Sequence, residues 1–199
     1  LRPGGVQRVI QQAAAALRNL RGRAVVLSGR PPPSGAFEGC PVRVVEGLDY
    51  APAGGPARRA GPLADALVKA ARDALGGAPD VWHIHNHALG KNPAVSDAVY
   101  RLARAGHRMV LQAHDFAEDS RPALYRRLLD TLGEGDPERL TARLYPQSER
   151  VHYAVLNRRD WRRLARAGLD PRRLHWLPNP VEAPGGREPA PAPAPGRVF

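Results

Sequence analysis

Short apolar runs alternate with amphipathic segments along most of this chain. Four runs have the composition of buried strands and occupy residues 81–85, 109–112, 153–156 and 174–177. Two further runs, at residues 24–27 and 42–45, predict two more strands. Strands separated by helices favour parallel pairing, because each parallel connection must cross back over the sheet. The sequence therefore predicts an α/β fold with a Rossmann-like, doubly wound parallel sheet covered on both faces.

The segments between the strands carry helix signals. Apolar residues recur at helical spacing over residues 6–20 and 63–74, and a further helix is predicted to start near Pro122. Start and stop signals frame two more helices, at residues 92–106 and 157–168. The residues that give these signals are Asn92 with Pro93 and Asn157 with Asp160 at the N-termini, and Gly106 and Gly168 at the C-termini.

The two ends of the chain differ from its middle. Residues 183–196 consist mostly of Pro, Ala and Gly, which favours an extended, semi-rigid backbone. We therefore predict a Rossmann-like domain over residues 1–182, an interdomain linker over 183–196, and the start of a second domain at 197–199. A Gly-Gly turn that opens a helix normally follows a strand, so the first domain is expected to lack its first strand.

Composition limits the class and compartment of the protein. Of the 199 residues, 43% are hydrophobic, and no stretch reaches the roughly 20 apolar residues that a membrane span needs. A single cysteine, Cys40, rules out a disulfide framework and fits a reducing compartment. Its neighbours, Gly39 and Pro41, provide no catalytic surroundings, so we expect this thiol to be inert. These features predict a cytoplasmic protein.

The formal net charge of +11 comes almost entirely from arginine, because Lys69 and Lys91 are the only lysines. Such a charge attracts phosphate, anionic lipid or nucleic acid. The arginines are scattered, however, and no nucleic-acid-binding signature accompanies them. A solvated basic surface is the simpler interpretation. Peripheral contact with the inner face of the membrane and a polyanion-binding module remain alternatives.

Polar side chains follow two neighbouring predicted strands. His83, His85, Asn86 and His87 mark the end of the first, and the segment His-Asp-Phe-Ala-Glu-Asp follows the second at residues 114–119. Ligands of open α/β sheets bind at the carboxyl ends of the strands, so these clusters predict a functional crevice. The density of charged and titratable groups at residues 114–121 is difficult to explain by packing alone.

The histidines of the first cluster allow two interpretations. His83 and His85 lie on the same face of a strand, and His-x-His is a spacing that can bind zinc. A metal-dependent hydrolase that uses His83, His85, His114 and Asp115 is therefore one alternative. His83 falls in mid-strand, however, where a hydrogen-bonded core histidine is expected, while His85 at the strand end suits the crevice better. The two other strand histidines, predicted to be structural, are His152 and His175.

Gly4 and Gly5 directly precede the first predicted helix. The free N–H groups and the dipole of a helix N-terminus favour an anion, and glycine lets a phosphate approach the backbone closely. A tight turn that needs a positive φ is the alternative explanation. Two glycines alone do not separate these interpretations.

Four segments, taken together, carry a resemblance to a known family. They are Pro-Gly-Gly-Val-Gln-Arg-Val-Ile at residues 3–10, Asp-Val-Trp-His-Ile-His at 80–85, Val-Leu-Gln-Ala-His-Asp at 110–115, and the stretch from Ala-Val-Leu-Asn at 154–157 to Leu-Pro-Asn-Pro-Val at 177–181. In this order and spacing they resemble the N-terminal domain of GT-B-fold retaining glycosyltransferases of the family-4 type, a group that includes the phosphatidylinositol mannosyltransferases. The resemblance covers nearly the whole chain.

The resemblance implies transfer of a hexose from a nucleotide-sugar to an acceptor with retained configuration. It implies that Gly4 and Gly5 present backbone N–H groups to the donor diphosphate, and that His114 is the catalytic residue beside the transferred sugar. The residues then expected on the acceptor or sugar side are His85, Asn86, Asp115, Glu118 and Asp119, with Asn179 at the interdomain hinge.

In the family that the chain resembles, nucleotide recognition and a Glu-x7-Glu motif belong to a second Rossmann-like domain. The chain is therefore expected to be inactive by itself. No metal or other cofactor is expected, because helix-terminal N–H groups and cations can stabilise a leaving diphosphate. The expected partners are the nucleotide-sugar and a glycan, lipid or small-molecule acceptor, without specific nucleic acid.

Overall fold

A computed structural model describes residues 4–51 and 60–180 of the chain. Helices and strands alternate through this part. The helices are α1 (Gly5–Asn19), α2 (Ala60–Leu75), α3 (Pro93–Arg104), α4 (Pro122–Leu128), α5 (Pro137–Leu144) and α6 (Arg158–Arg166). The strands are β1 (Val26–Ser28), β2 (Val42–Val44), β3 (Trp82–His85), β4 (Met109–Ala113), β5 (Val151–Val155) and β6 (Leu174–Trp176). A π-helical turn, Leu129–Gly133, follows α4, and a 3-10 turn, Pro171–Arg173, precedes β6.

The strands form two parallel sheets. β1 pairs with β2, while β3, β4, β5 and β6 lie side by side in chain order. In the larger sheet, His85 of β3 lies opposite Gln112 of β4, which lies opposite Ala154 of β5. The carboxyl ends of β3 and β4 therefore meet at one edge, where the two polar clusters of the sequence follow.

The α/β class and the parallel sheet with flanking helices, predicted from the sequence, are confirmed. The predicted strands are all present with small shifts at their ends, and so are the two predicted caps. The side-chain oxygen of Asn92 accepts a hydrogen bond from the N–H of Ala94, and that of Asn157 from Asp160. The sequence analysis missed α5, although Asp136 before Pro137 carries a capping signal that the structure uses.

The hydrophobic core lies on one face of the larger sheet. Helices α2, α3, α5 and α6 contribute buried leucines and alanines to it, and the strands contribute alternate residues such as Met109, Leu111, Val151 and Tyr153. The strand order explains this arrangement. Successive right-handed crossovers between strands that advance in one direction place every connecting helix on the same face.

The opposite face of this sheet is rich in histidine, and the described helices add no core cluster there. Gln112 and Ala154, which lie on this face, are nevertheless each only 1% exposed. His83 differs from them. Its Nε2 lies 2.8 Å from Oε1 of Gln112, as a hydrogen-bonded strand histidine should, but its side chain is exposed and does not belong to the core. On the same face, Nδ1 of His152 lies 2.9 Å from Nε2 of His175, which is also exposed.

Candidate active site

Two histidines meet where β3 and β4 end. His85 is the last residue of β3, and His114 follows the last residue of β4. Nδ1 of His85 lies 2.9 Å from Nε2 of His114, and both side chains are half-buried. The parallel register, which places His85 opposite Gln112, brings the two rings together. The structure thus joins the residue predicted to be catalytic to one predicted on the sugar side.

The surroundings keep both rings neutral at physiological pH. Burial, together with the nearby His83 and His114, lowers the pKa of His85 to about 3. Burial also lowers the pKa of His114, although the carboxylate of Asp115 opposes this and His83 adds to it. A neutral imidazole offers one N–H donor and one lone pair. The pair is therefore suited to hydrogen bonding with hydroxyl groups rather than to binding anions.

Asn86 fixes the backbone of the site. It adopts a left-handed conformation with φ 55°, which asparagine tolerates better than most residues. Its side-chain oxygen accepts hydrogen bonds from the backbone N–H groups of His114 at 2.8 Å and Asp115 at 3.2 Å. Its own N–H donates to the carbonyl of Gln112 at 2.9 Å. Asn86 thus holds the loop that carries His114, a role that the sequence analysis did not predict; its predicted sugar-side role stays a prediction.

The acidic residues of the second cluster have separate partners. Oδ1 of Asp115 lies 3.2 Å from Nη2 of Arg121. The hydroxyl of Tyr145 donates to Glu118 at 3.2 Å, and Arg163 forms an ion pair with Asp119. These contacts anchor the loop at its polar positions. Between them, Phe116 and Ala117 are buried in the core.

Gln112 is the main polar residue that the sequence analysis left without a role. Its side chain is 1% exposed; its oxygen accepts from His83, while its amide nitrogen has no hydrogen-bond partner among the described residues. A glutamine within the otherwise apolar run 109–113 is a sequence signal from which a role for this residue could have been predicted. Tyr145 and Arg163, by contrast, lie far along the chain from the loop they hold, and nothing in their local sequence indicates that contact.

The residues of the hydrolase alternative are engaged in different interactions. His83 bonds to Gln112, His85 to His114, and Asp115 to Arg121. Within residues 4–51 and 60–180, no group of three or more His, Cys, Asp or Glu side chains is arranged to hold a metal ion. The geometry therefore lends this alternative no support.

His87 belongs to the polar cluster for which the sequence predicts a crevice, but in the structure it is a buried structural anchor. It is buried, and its Nε2 donates to the carbonyl of Leu144 in α5 at 2.7 Å. The hydroxyl of Ser96 in α3 donates to the backbone carbonyl of His87 at 2.5 Å. Burial lowers the pKa of His87 to about 4, with the hydrogen bond to Leu144 opposing this. His87 thus ties the loop after β3 to two helices.

Gly4 and Gly5 mark an uncapped helix N-terminus. Gly4 is the N-cap of α1, with φ −64° and ψ 156°, and no side chain caps the helix. A Cβ atom added at either glycine would meet nothing within 4 Å. Neither residue has a positive φ, so the tight-turn explanation has no support. The free N–H groups and the open space are features that an anion-binding helix terminus requires.

Three other sequence predictions can be placed. Cys40 is half-buried, and burial raises the pKa of its thiol, which fits the expected inertness. Asn179 is exposed beyond β6, and its hinge role stays a prediction. The predicted linker and second domain fall at residues 183–199, outside the described residues. None of the described helices is long and apolar enough to cross a membrane.

Comparison with known proteins identifies the class of protein to which the chain belongs, the glycosyltransferases. Residues 4–180, a range that includes every described residue, match the Glycosyl transferase 4-like domain. The chain therefore belongs to this family, and the resemblance deduced from its four sequence segments is confirmed.

A similar protein is mannosylglucosyl-3-phosphoglycerate synthase of Petrotoga mobilis (strain DSM 10674 / SJ95), which is 30% identical over 103 residues. The alignment covers 51% of this chain but only 19% of that protein. The aligned half of the chain thus spans less than a fifth of its relative's length. No solved structure matches the chain.

Proposed function

We propose that this chain is the N-terminal half of a GT-B glycosyltransferase that transfers a hexose from a nucleotide-sugar to an acceptor with retained configuration. The observation that carries the proposal is the His85–His114 pair at the carboxyl edge of the sheet, in a chain that belongs to a glycosyltransferase family. Ligands of this class of sheet bind at that edge. The acceptor, whether glycan, lipid or small molecule, is left open.

The donor diphosphate is proposed to bind at the N-terminus of α1. Gly4 and Gly5 leave its N–H groups unobstructed, and the helix dipole favours negative charge there. Stabilising the charge that develops on the leaving diphosphate is the electrostatic contribution that such a reaction needs most. We propose that this requires no metal ion. We therefore expect transfer activity to persist in the presence of a metal chelator.

His114 is proposed to contact the reacting sugar or the acceptor hydroxyl. It lies at the sheet edge, and Asn86 fixes its backbone while His85 fixes its ring. Asp115, Glu118 and Asp119 are proposed to line the acceptor side, although Arg121, Tyr145 and Arg163 already engage them. Those three residues would then orient the carboxylates for a ligand.

A second, nucleotide-binding domain is proposed to close over the donor and to exclude water from the reacting centre. Asn179 lies at the proposed hinge. We propose a cytoplasmic location for the enzyme. Contact of its basic surface with the inner face of a membrane is the alternative, and binding to anionic vesicles at increasing salt would separate the two.

The test is an activity measurement on the chain joined to that second domain, using a panel of nucleotide-hexoses. His114→Ala should lower transfer by about 10²–10⁴-fold if its ring acts on the reacting groups. His175→Ala is the matched control, because it removes a histidine of a similar pair away from the proposed site. The anomeric configuration of the product, measured by NMR, tests retention. Stoichiometric zinc that is lost in His85→Ala would instead favour the hydrolase.

A further inference from the structure

The geometry of the His85–His114 pair restricts where its protons can be. A neutral imidazole carries one proton, on either Nδ1 or Nε2. The facing atoms, Nδ1 of His85 and Nε2 of His114, lie 2.9 Å apart. A hydrogen bond at this distance needs one proton between the two atoms. Two protons would collide, and none would leave two lone pairs facing each other.

The two rings must therefore share one tautomeric form. If Nδ1 of His85 donates, the proton of His114 sits on its outer Nδ1, and both rings are Nδ1–H tautomers. If Nε2 of His114 donates, the proton of His85 sits on its outer Nε2, and both rings are Nε2–H tautomers. The outer atoms, Nε2 of His85 and Nδ1 of His114, have no hydrogen-bond partner among the described residues. In either form the pair presents one outer donor and one outer acceptor.

The surrounding structure holds the pair in this arrangement. The β3–β4 register places His85, and Asn86 holds the backbone N–H of His114 at 2.8 Å. The ring of His83 lies 4.3 Å from the ring of His85, centroid to centroid, and is itself bonded to Gln112. Both rings of the pair are half-buried, which disfavours an added charge.

We infer that His85 is a positioning residue for His114, and that the two rings form one tautomer-coupled pair that offers its ligand one N–H donor and one lone pair. A hydroxyl group donates and accepts at once, so this pattern suits a hydroxyl-bearing ligand such as a carbohydrate. That ligand class rests on the proposed function, whereas the coupling of the tautomers does not.

The test is long-range ¹H–¹⁵N correlation NMR on the full 199-residue chain, labelled with ¹⁵N-histidine and without ligand. This spectrum distinguishes the two tautomers of each ring. We expect His85 and His114 to be both Nδ1–H or both Nε2–H tautomers. One ring of each kind, or either ring protonated at about pH 7, would overturn the inference.

Variants test whether His85 positions the ring of His114. In His85→Ala, His114 loses its inner partner, and its ring nitrogen shifts should move towards those of a mixture of both tautomers. His85→Asn places an amide near the position of Nδ1 and should restore a single form. His175→Ala, which breaks the similar pair with His152, should leave His114 unchanged. Unchanged His114 shifts in a folded His85→Ala chain would overturn the positioning role.

The outcomes separate this inference from the proposed function. If His85→Ala does not fold, the tautomers of His85 and His114 in the unmodified chain still decide whether the two rings are coupled. Coupled tautomers in a chain whose completed enzyme transfers no sugar would overturn only the proposed function. Uncoupled tautomers in an active enzyme would overturn only the pairing.

Discussion

The side-chain oxygen of Asn86 accepts a hydrogen bond from the backbone N–H of His114 at 2.8 Å, across the ends of two neighbouring strands. This contact joins a residue in a left-handed conformation to the proposed catalytic residue. The precision of the site therefore depends on a side chain that need not touch the ligand.

Substitutions of Asn86 should separate the contribution of its side-chain hydrogen bonds to stability from that of its left-handed backbone conformation. Asn86→Gly keeps the left-handed backbone and loses the bonds to His114 and Asp115, at a cost of about 1–3 kcal/mol. Asn86→Ala should cost a further 1–2 kcal/mol, roughly, because its Cβ strains that conformation. Urea unfolding of both variants measures the difference. An equal loss of unfolding free energy in Asn86→Gly and Asn86→Ala would show that the left-handed conformation of residue 86 does not contribute to the difference.

The stability of the chain should fall as the pH falls from about 6.5 towards about 4. In the folded state burial lowers the pKa of His87 to about 4 and that of His85 to about 3. The unfolded chain therefore binds more protons in this range, and the free energy of unfolding rises with pH. His87 alone should contribute about 2 kcal/mol of difference between pH 7 and pH 5.

The variant His87→Gln tests this linkage, because its amide can still donate to the carbonyl of Leu144 but does not titrate. Urea unfolding at several pH values should show a shallower pH dependence in this variant than in the unmodified chain. The same pH dependence in both proteins would mean that His87 is not the residue responsible.

Alanine at Gly4 or Gly5 should weaken donor binding far more than it changes the stability of the fold. Added Cβ atoms meet nothing within 4 Å. Within the helix, at Gly5, Ala is favoured over Gly by up to about 1 kcal/mol, whereas at the N-cap, Gly4, Ala is less favourable than Gly. A bound diphosphate, by contrast, would lose its close approach to the backbone. Gly61→Ala, near the start of α2 and equally uncrowded, is the matched control.

For these three variants we would compare two measurements, thermal unfolding and calorimetric titration with the donor in the chain joined to the proposed second domain. Donor affinity should fall in Gly4→Ala and Gly5→Ala but not in Gly61→Ala. Unchanged affinity in all three would remove the α1 terminus from the proposed donor site.

The contacts of Glu118 and Asp119 should matter little to stability. Tyr145→Phe loses one hydrogen bond to Glu118 and should cost about 0.5–1.5 kcal/mol. Asp119→Asn weakens a surface ion pair with Arg163 and should cost at most about 1 kcal/mol. A loss of transfer activity much larger than these costs, at preserved folding, would support the acceptor-side role. A proportionate loss would assign both carboxylates to loop anchoring alone.

Local sequence determined the elements of this protein. Asn92 and Asn157 predict the starts of two helices, because the oxygen of a short side chain reaches a backbone N–H two or three residues further along the chain. The apolar runs predict strands, because the strands of a parallel sheet are buried and therefore consist largely of apolar residues. The clusters at His85 and His114 could be placed at one edge, since parallel strands end together.

The tertiary structure alone decided how those residues divide their roles. The His85–His114 bond, the use of Asn86 as a backbone clamp and the burial of His87 against Leu144 all depend on strand register and helix packing between segments about 30 to 60 residues apart. No local pattern encodes such contacts, because each depends on where a distant segment packs. Sequence determined which chemical groups gather at the sheet edge, and packing decided which of them stay free for a ligand.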